Sequence, residues 1–277
     1  EFQVPGHIYK GHYECLKTAR HFGFTPFELE VEKQDVSKVK SLKDKSAKGD
    51  SSETLTFDAF LEEKVAILRN YIDKKMQDLN QPPAICFSGP LKGNTFAEKA
   101  RGSGHVFNVD IIGNPKSIAD AVVIETAFVI LKEHHSDMDL MVEINSVGDK
   151  DAFSRFVKEF SSYYKKHLAE LPADLRQLFK KDPLLLATSQ DERLAPFNEE
   201  APKTVNYLSE ESRTHFREVL EFLESLGLPY MINETLTGSR NCSTGTVFQI
   251  VGIESGKKDG GKEKRKLLAI GERYNSI

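Results

Sequence analysis

Apolar residues recur at helical spacing in five stretches of the chain and at strand spacing in several others. Residues 8–23 carry Tyr13, Leu16, Ala19 and Phe22 three apart and end at Gly23, which predicts a helix; Thr25 to Val31 follows as a short strand. Residues 34–54 are polar and rich in Lys and Ser, and read as a solvated loop. Phe57 to Leu79 gives the clearest helical stripe, through Phe60, Leu61, Val65, Leu68, Ile72 and Met76, and Pro82-Pro83 stops it. Ala84 to Phe87 and Val106 to Ile112 read as an antiparallel pair flanking a Gly-rich excursion over residues 88–104. Ser117 to Glu133 is an apolar helix, Leu140, Val142 and Ile144 alternate as a strand, and Lys150 to Leu168 is amphipathic. Leu171 to Val205 holds short helical pieces broken by prolines. Ser209 is placed to cap a helix with Phe216, Val219, Leu220, Leu223 and Leu226 on its buried face and Gly227 at its end. Pro229 to Leu236, Thr244 to Gly252 and Leu267 to Gly271 predict three strands, with the basic run 253–266 as a solvated hairpin tip. Helices and strands mix without regular βαβ alternation, so the expected fold class is α+β with an antiparallel sheet.

Composition narrows the function classes. The 277 residues hold 38 Lys plus Arg against 42 Asp plus Glu, a net charge of −4, which argues against a surface given over to nucleic acid. No apolar run approaches the roughly 20 residues that span a bilayer, so no membrane partner is expected. Cys15, Cys86 and Cys242 are too scattered for a disulfide framework or a zinc site, and suggest a reducing compartment. The one close histidine pair, His134-His135, is adjacent in sequence and poorly placed for shared ligation, so no metal is expected. The sequence starts Glu1-Phe2-Gln3, without Met or a basic-then-apolar leader. A phosphate loop, paired CxxC, HExxH and GxSxG are all missing; Asp110, Glu125 and Glu143 are carboxylates without a partner fixed by spacing, and read as surface or ion-paired groups.

Four ordered segments carry more information. Glu143-Ile144-Asn145-Ser146-Val147-Gly148-Asp149 is similar to "E-I-N-S-[LI]-G-D". Ala201-Pro202 with Tyr207-Leu208-Ser209-Glu210-Glu211-Ser212 and His215-Phe216 is similar to "A-P … Y-L-D-E-E-S-x-x-H-F". Leu228-Pro229-Tyr230 followed by Thr244-Gly245-Thr246-Val247-Phe248-Gln249 matches "G-I-P-Y … Y-Y-T-G-T-V-F-E", and Gly271-Glu272-Arg273-Tyr274-Asn275 matches "G-G-R-Y-D". Together, and most strongly from about residue 105 to 277, they resemble the class II catalytic core of histidyl-tRNA synthetase and its paralogues. The resemblance implies a six-stranded antiparallel sheet flanked by helices, a synthetase-like core over residues 1–277 with a helical insertion at about 150–208, and a homodimer or a larger protein complex. It also implies that motif 3 and an anticodon-binding domain would follow Ile277, and that without them the sheet exposes an apolar edge unless another chain covers it.

The same alignment shows which functional positions have changed. Activating an amino acid with ATP needs fixed cations against the charge growing on the α-phosphate. Gly93 stands where the family's "G-P-x-F-R-Y-E" has its phosphate-binding Arg, and Gly238 where "L-V-R-G-L-D-Y-Y-T-G" has the second. Cys242 and Ser243 replace the two tyrosines of the histidine pocket, Val106 replaces a substrate-contacting Gln, and Asp110 keeps a carboxylate in place of Glu. Asp58, Asp110, Asn241, Thr244 and Gly245 are the remnants of substrate binding that the resemblance implies. Lys92, Lys99, Arg101 and Arg240 are the nearby cations that could touch phosphates in place of the lost arginines. The leading expectation is therefore a degenerate, non-catalytic binding, regulatory or assembly subunit without a cofactor. One alternative is a divergent histidine–tRNA ligase fragment using ATP and magnesium. The other is a histidine-sensing regulatory subunit of histidine biosynthesis, which the loss of the pocket tyrosines weakens. Transfer RNA is a ligand that no motif here supports. A cytoplasmic location is expected, with a mitochondrial one left open.

Overall fold

The computed structural model describes residues 5–43, 60–90, 104–189, 191–239, 242–259 and 262–275. Among these, α1 (Tyr13–His21), α2 (Lys33–Lys43) and α3 (Leu61–Asp73) surround β1 (Thr25–Pro26), β2 (Ala84–Pro90) and β3 (His105–Ile111). They are followed by α4 (Ser117–His134), β4 (Met138–Ser146), α5 (Lys150–Lys166), α6 (Ala173–Lys181), α7 (Leu184–Ala187), α8 (Ala195–Glu200) and α9 (Glu210–Ser225). The last elements are β5 (Tyr230–Ile232), β6 (Thr246–Asp259) and β7 (Lys262–Glu272).

The fold is α+β, as expected, but the strands are arranged differently from a single six-stranded antiparallel sheet. The described residues form a three-stranded sheet, β1-β2-β3, and a four-stranded sheet, β5-β4-β6-β7. Pairing is antiparallel except for β1 with β2 and β4 with β5. The two parallel pairs are joined by long connections that contain helices, which is what parallel pairing requires. The strand expected over residues 25–31 is two residues long, and that expected from Pro229 to Leu236 is three.

Three corrections concern the polar segments and the helix stripe. Residues 33–43 form a helix rather than a loop. Asp35 accepts the Glu32 amide at 2.8 Å and the Arg69 guanidinium at 3.0 Å, while Val39 is buried against α3. A short polar helix of low propensity is thus held by one ion pair and one apolar contact. The stretch from Leu61 to Leu79 is broken at Lys75, which adopts φ +49°, and Ile72 is left 67% exposed rather than buried. In the basic run, β6 continues to Asp259 and β7 begins at Lys262, so most of it is strand rather than tip. Cys15, Cys86 and Cys242 are all free and buried.

Alternation in β4 decides the layering. Leu140, Val142 and Ile144 join Phe248 and Ile250 of β6 under Ile124 and Phe128 of α4 and Phe216, Val219 and Leu223 of α9. Ser209 caps α9 by accepting the Ser212 amide at 3.2 Å, and Gly227 ends it at φ +66°. Leu226, expected on the buried face, is 43% exposed. Residues 150–207 add no strand among those described. Their core is separate, with Phe156, Phe160 and Tyr164 of α5 packed on Leu175, Phe179, Leu186 and Leu194. The other face of the four-stranded sheet presents Glu143, Asn145, Gln249 and Glu272. Glu143 is buried there, accepting bonds from Asn233, Gln249 and Arg265 at 2.6, 2.7 and 2.7 Å. Of the two readings expected for it, surface or ion-paired, it is the ion-paired one, held by Arg265.

Candidate functional site

The sequence-predicted residues divide by where they fall. Gly93, Asp58, Lys92, Lys99, Arg101, Arg240 and Asn241 lie outside the described residues. Asp110, Gly238, Thr244 and Gly245 lie inside them, on β3 and on the turn that leads into β6. The structure brings Asp110, Ser239, Cys242 and Ser243 to a single polar cluster beneath α3.

Gly238 has φ +62°, a conformation costly to a residue with a side chain. A Cβ there would collide with Oγ of Ser243 and lie 2.7 Å from Cγ1 of Val247. The chain thus fills with its own atoms the space beside the position where the resemblance places a catalytic arginine. Ser243 bonds to the Ser239 amide, and the Ser243 amide donates to the Ser239 carbonyl at 2.9 Å.

Two charged residues dominate the cluster. Lys64 of α3 forms an ion pair with Glu272 at the end of β7, and both side chains are buried. The other carboxylate oxygen of Glu272 accepts the Ser243 hydroxyl and the Ser239 amide, the latter at 3.3 Å. Cys242 lies 3.8 Å from the Lys64 ammonium, and burial pushes its thiol up to about 12, so it is a packing residue and not a nucleophile. Burial is the largest influence on Lys64 and works to strip its proton; the attraction and hydrogen bond of Glu272, with Cys242 and Asp110, together outweigh it and raise the ammonium pKa. Tyr274 donates to Asp110 at 2.8 Å, with its ring 5.3 Å from the Lys64 nitrogen. Val39, Leu61 and Val65 of α2 and α3 pack over Cys242.

Burial raises the Asp110 carboxyl above the ordinary value of 3.8, against the opposing pull of Tyr274 and Lys64. A carboxyl raised on folding contributes its full stability below its unfolded pKa, and that contribution fades as pH climbs through the folded value. Tyr274→Phe removes the donor that favours the ionised form. The variant is expected to lose about 1–3 kcal/mol at pH 7 and less near pH 4, as read from urea denaturation at the two pH values.

Thr244 and Gly245 serve the scaffold. The Thr244 hydroxyl accepts the Asn275 amide at 3.1 Å, its own amide donates to the Arg273 carbonyl at 2.8 Å, and the Gly245 amide donates to Gly148 at 2.7 Å. Nearby, Asp120 of α4 gathers three groups that the motifs contain. Arg273 pairs with it at 2.6 Å, His215 of α9 bonds to it at 2.7 Å, and the Thr246 hydroxyl donates to it at 2.8 Å. Arg273 also donates to the carbonyls of Asn114 and Lys116. The surviving motif residues therefore tie α4, α9 and the end of β7 together.

Sequence reasoning did not single out Lys64, Asp120 or the role of Glu272. Glu272 could have been found, since it stands at the second glycine of "G-G-R-Y-D". Lys64 reads as one more charge on an amphipathic helix. Two recesses, of about 580 and 260 Å³, lie elsewhere, one between the start of α4 and α9 and one beside Tyr9 and His105. Among the described residues no group of His, Cys, Asp and Glu is placed to hold a metal ion, and no helix is long and apolar enough to cross a membrane.

Comparison with known proteins places this architecture. No family model matches the chain. The apo histidyl-tRNA synthetase of S. aureus superimposes with a TM-score of 0.64 at 21% identity, over 99% of this chain and 67% of that one. The fold is that of the class II aminoacyl-tRNA synthetase core. Curated relatives named histidine–tRNA ligase include that of Anaplasma phagocytophilum, 30% identical over 212 residues, covering 74% of this chain and 50% of the relative. That of Wolbachia pipientis subsp. Culex pipiens is 27% identical over 274 residues, covering 91% of this chain and 64% of the relative. These relatives and the shared fold support a member of the histidyl-tRNA synthetase family. It spans about half to two thirds of the length of the curated relatives it matches.

Proposed function

We propose that the chain is a non-catalytic member of its family, acting as a binding, regulatory or assembly subunit within a homodimer or a larger protein complex. The observation that carries this reading is Gly238. Its left-handed backbone and the packed Ser243 and Val247 beside it leave no room even for a Cβ without rearrangement. Gly93 lacks the other arginine by sequence. Losing one preorganised donor costs a reaction about 10²–10³ in rate, and two losses compound. The Lys64–Glu272 pair supports the same reading, because it takes up the ground beside Cys242 and Ser243 where an imidazole would be held. This reading assigns no role to ATP or magnesium.

Histidine-dependent exchange of pyrophosphate into ATP tests it. The expected result is exchange at background, both for this chain and for the longest polypeptide that contains it. Exchange well above background refutes the proposal.

A second reading is a divergent histidine–tRNA ligase that needs the remainder of the family's length. The observation favouring it is that the curated relatives bear that name and are longer than this chain. It requires exchange activity to appear in the longer polypeptide, and so the same assay separates the two.

A further inference from the structure

The cluster beneath α3 has its charges paired by the chain itself. Lys64 reaches from the first turn of α3 with its side chain 11% exposed and sets its ammonium on Oε1 of Glu272, whose side chain is 2% exposed. Oε2 of Glu272 takes the Ser243 hydroxyl and the Ser239 amide. The Cys242 sulfur lies 3.4 Å from the first oxygen, the Tyr274 ring stands over the ammonium, and Val39, Leu61 and Val65 close the outside. A carboxylate so buried must have a cation, and a buried ammonium must have an anion. The elements that supply the pair are far apart in the chain, at positions 64 and 272, so the contact belongs to the finished fold and not to a local turn.

From this geometry we infer that Lys64 is a built-in occupant of a primary-ammonium site. Glu272, Ser239 and Ser243 make the anionic end, Cys242 and Tyr274 the walls, and the lysine side chain is the ligand that fills it. A tethered ligand is present at an effective concentration that a free amine in solution does not match. The pocket is thereby shut, and Lys64 with Glu272 determines what it refuses. This deepens the non-catalytic reading and takes its biological meaning from it, but the occupancy itself is measured without any adenylation assay.

Lys64→Ala removes three carbons and the nitrogen and leaves Glu272 facing the space they held. The probe is n-propylammonium chloride, which supplies those atoms. Lys64→Ala is expected to melt roughly ten degrees below the parent protein. About 50 mM n-propylammonium recovers at least a third of that loss, while sodium chloride at equal ionic strength and tetramethylammonium do not. The parent and the double variant Lys64→Ala/Glu272→Gln are expected not to respond. No response in Lys64→Ala, or an equal response in the parent, overturns the inference. Should Lys64→Ala fail to fold, acetylation of the native parent decides instead. Lys64 is expected to react at least about tenfold more slowly than a surface lysine such as Lys17, and equal rates overturn the inference. Failure of the non-catalytic reading would show as pyrophosphate exchange by the parent, which none of these measurements reads.

Discussion

Gly238→Arg, which puts the family's arginine back, is expected to lower the melting temperature by roughly ten degrees and to leave pyrophosphate exchange at background. Two costs add. A residue with a side chain held at φ +62° pays about 1–3 kcal/mol in backbone strain. The new Cβ must also displace Ser243 and Val247, and overpacking of this kind costs about 1–3 kcal/mol. Ser243 is itself bonded to Glu272 and to the Ser239 amide, so moving it loosens the whole turn. In a cleft that merely lacked its arginine, the substitution would be tolerated and would raise activity. Differential scanning fluorimetry and the exchange assay on one preparation distinguish these outcomes. A variant that melts with the parent would mean that the turn is not packed as described.

Asp120→Ala is expected to cost about 3–5 kcal/mol, the other large effect. Its carboxylate is mostly buried and is shared by Arg273, His215 and Thr246. Removing it leaves a buried guanidinium with only the Asn114 and Lys116 carbonyls, and a histidine without its partner. Asp120→Asn keeps the shape and two acceptor contacts and should lose distinctly less. Chemical denaturation measures both. The same result bears on function, because His215 and Arg273 sit in motifs that the family resemblance rests on. Their expected effect is on stability, in keeping with motif residues that serve the scaffold.

Much of the architecture was legible in the sequence. The helices carried by strong periodicity, α1, α4, α5 and α9, lie close to their expected places, as do β2, β3 and β4. Ser209 and Gly227 bound α9 because local capping chemistry fixes its ends. The misses have a common cause, which is dependence on a distant partner. The helix at 33–43 has a polar sequence and, apart from Asp35 bonding back to the Glu32 amide, is held by Arg69 across the chain. Ile72 fits an apolar stripe by spacing, but the stripe ends where Lys75 turns the chain. At the candidate site, the degenerate glycine at 238 was readable by alignment to the family pattern. The pairing of Lys64 with Glu272 was not, because it joins residues 208 positions apart. Alignment compares positions one at a time, and only the fold shows which side chains meet.

On the non-catalytic reading, this cleft no longer accommodates an aminoacyl-adenylate. Calorimetric titration with a non-hydrolysable histidyl-adenylate analogue, the sulfamoyl adenosine, tests that claim without requiring turnover. The expected result is no saturable heat up to the solubility of the compound. A one-to-one isotherm with a micromolar or tighter dissociation constant would contradict it.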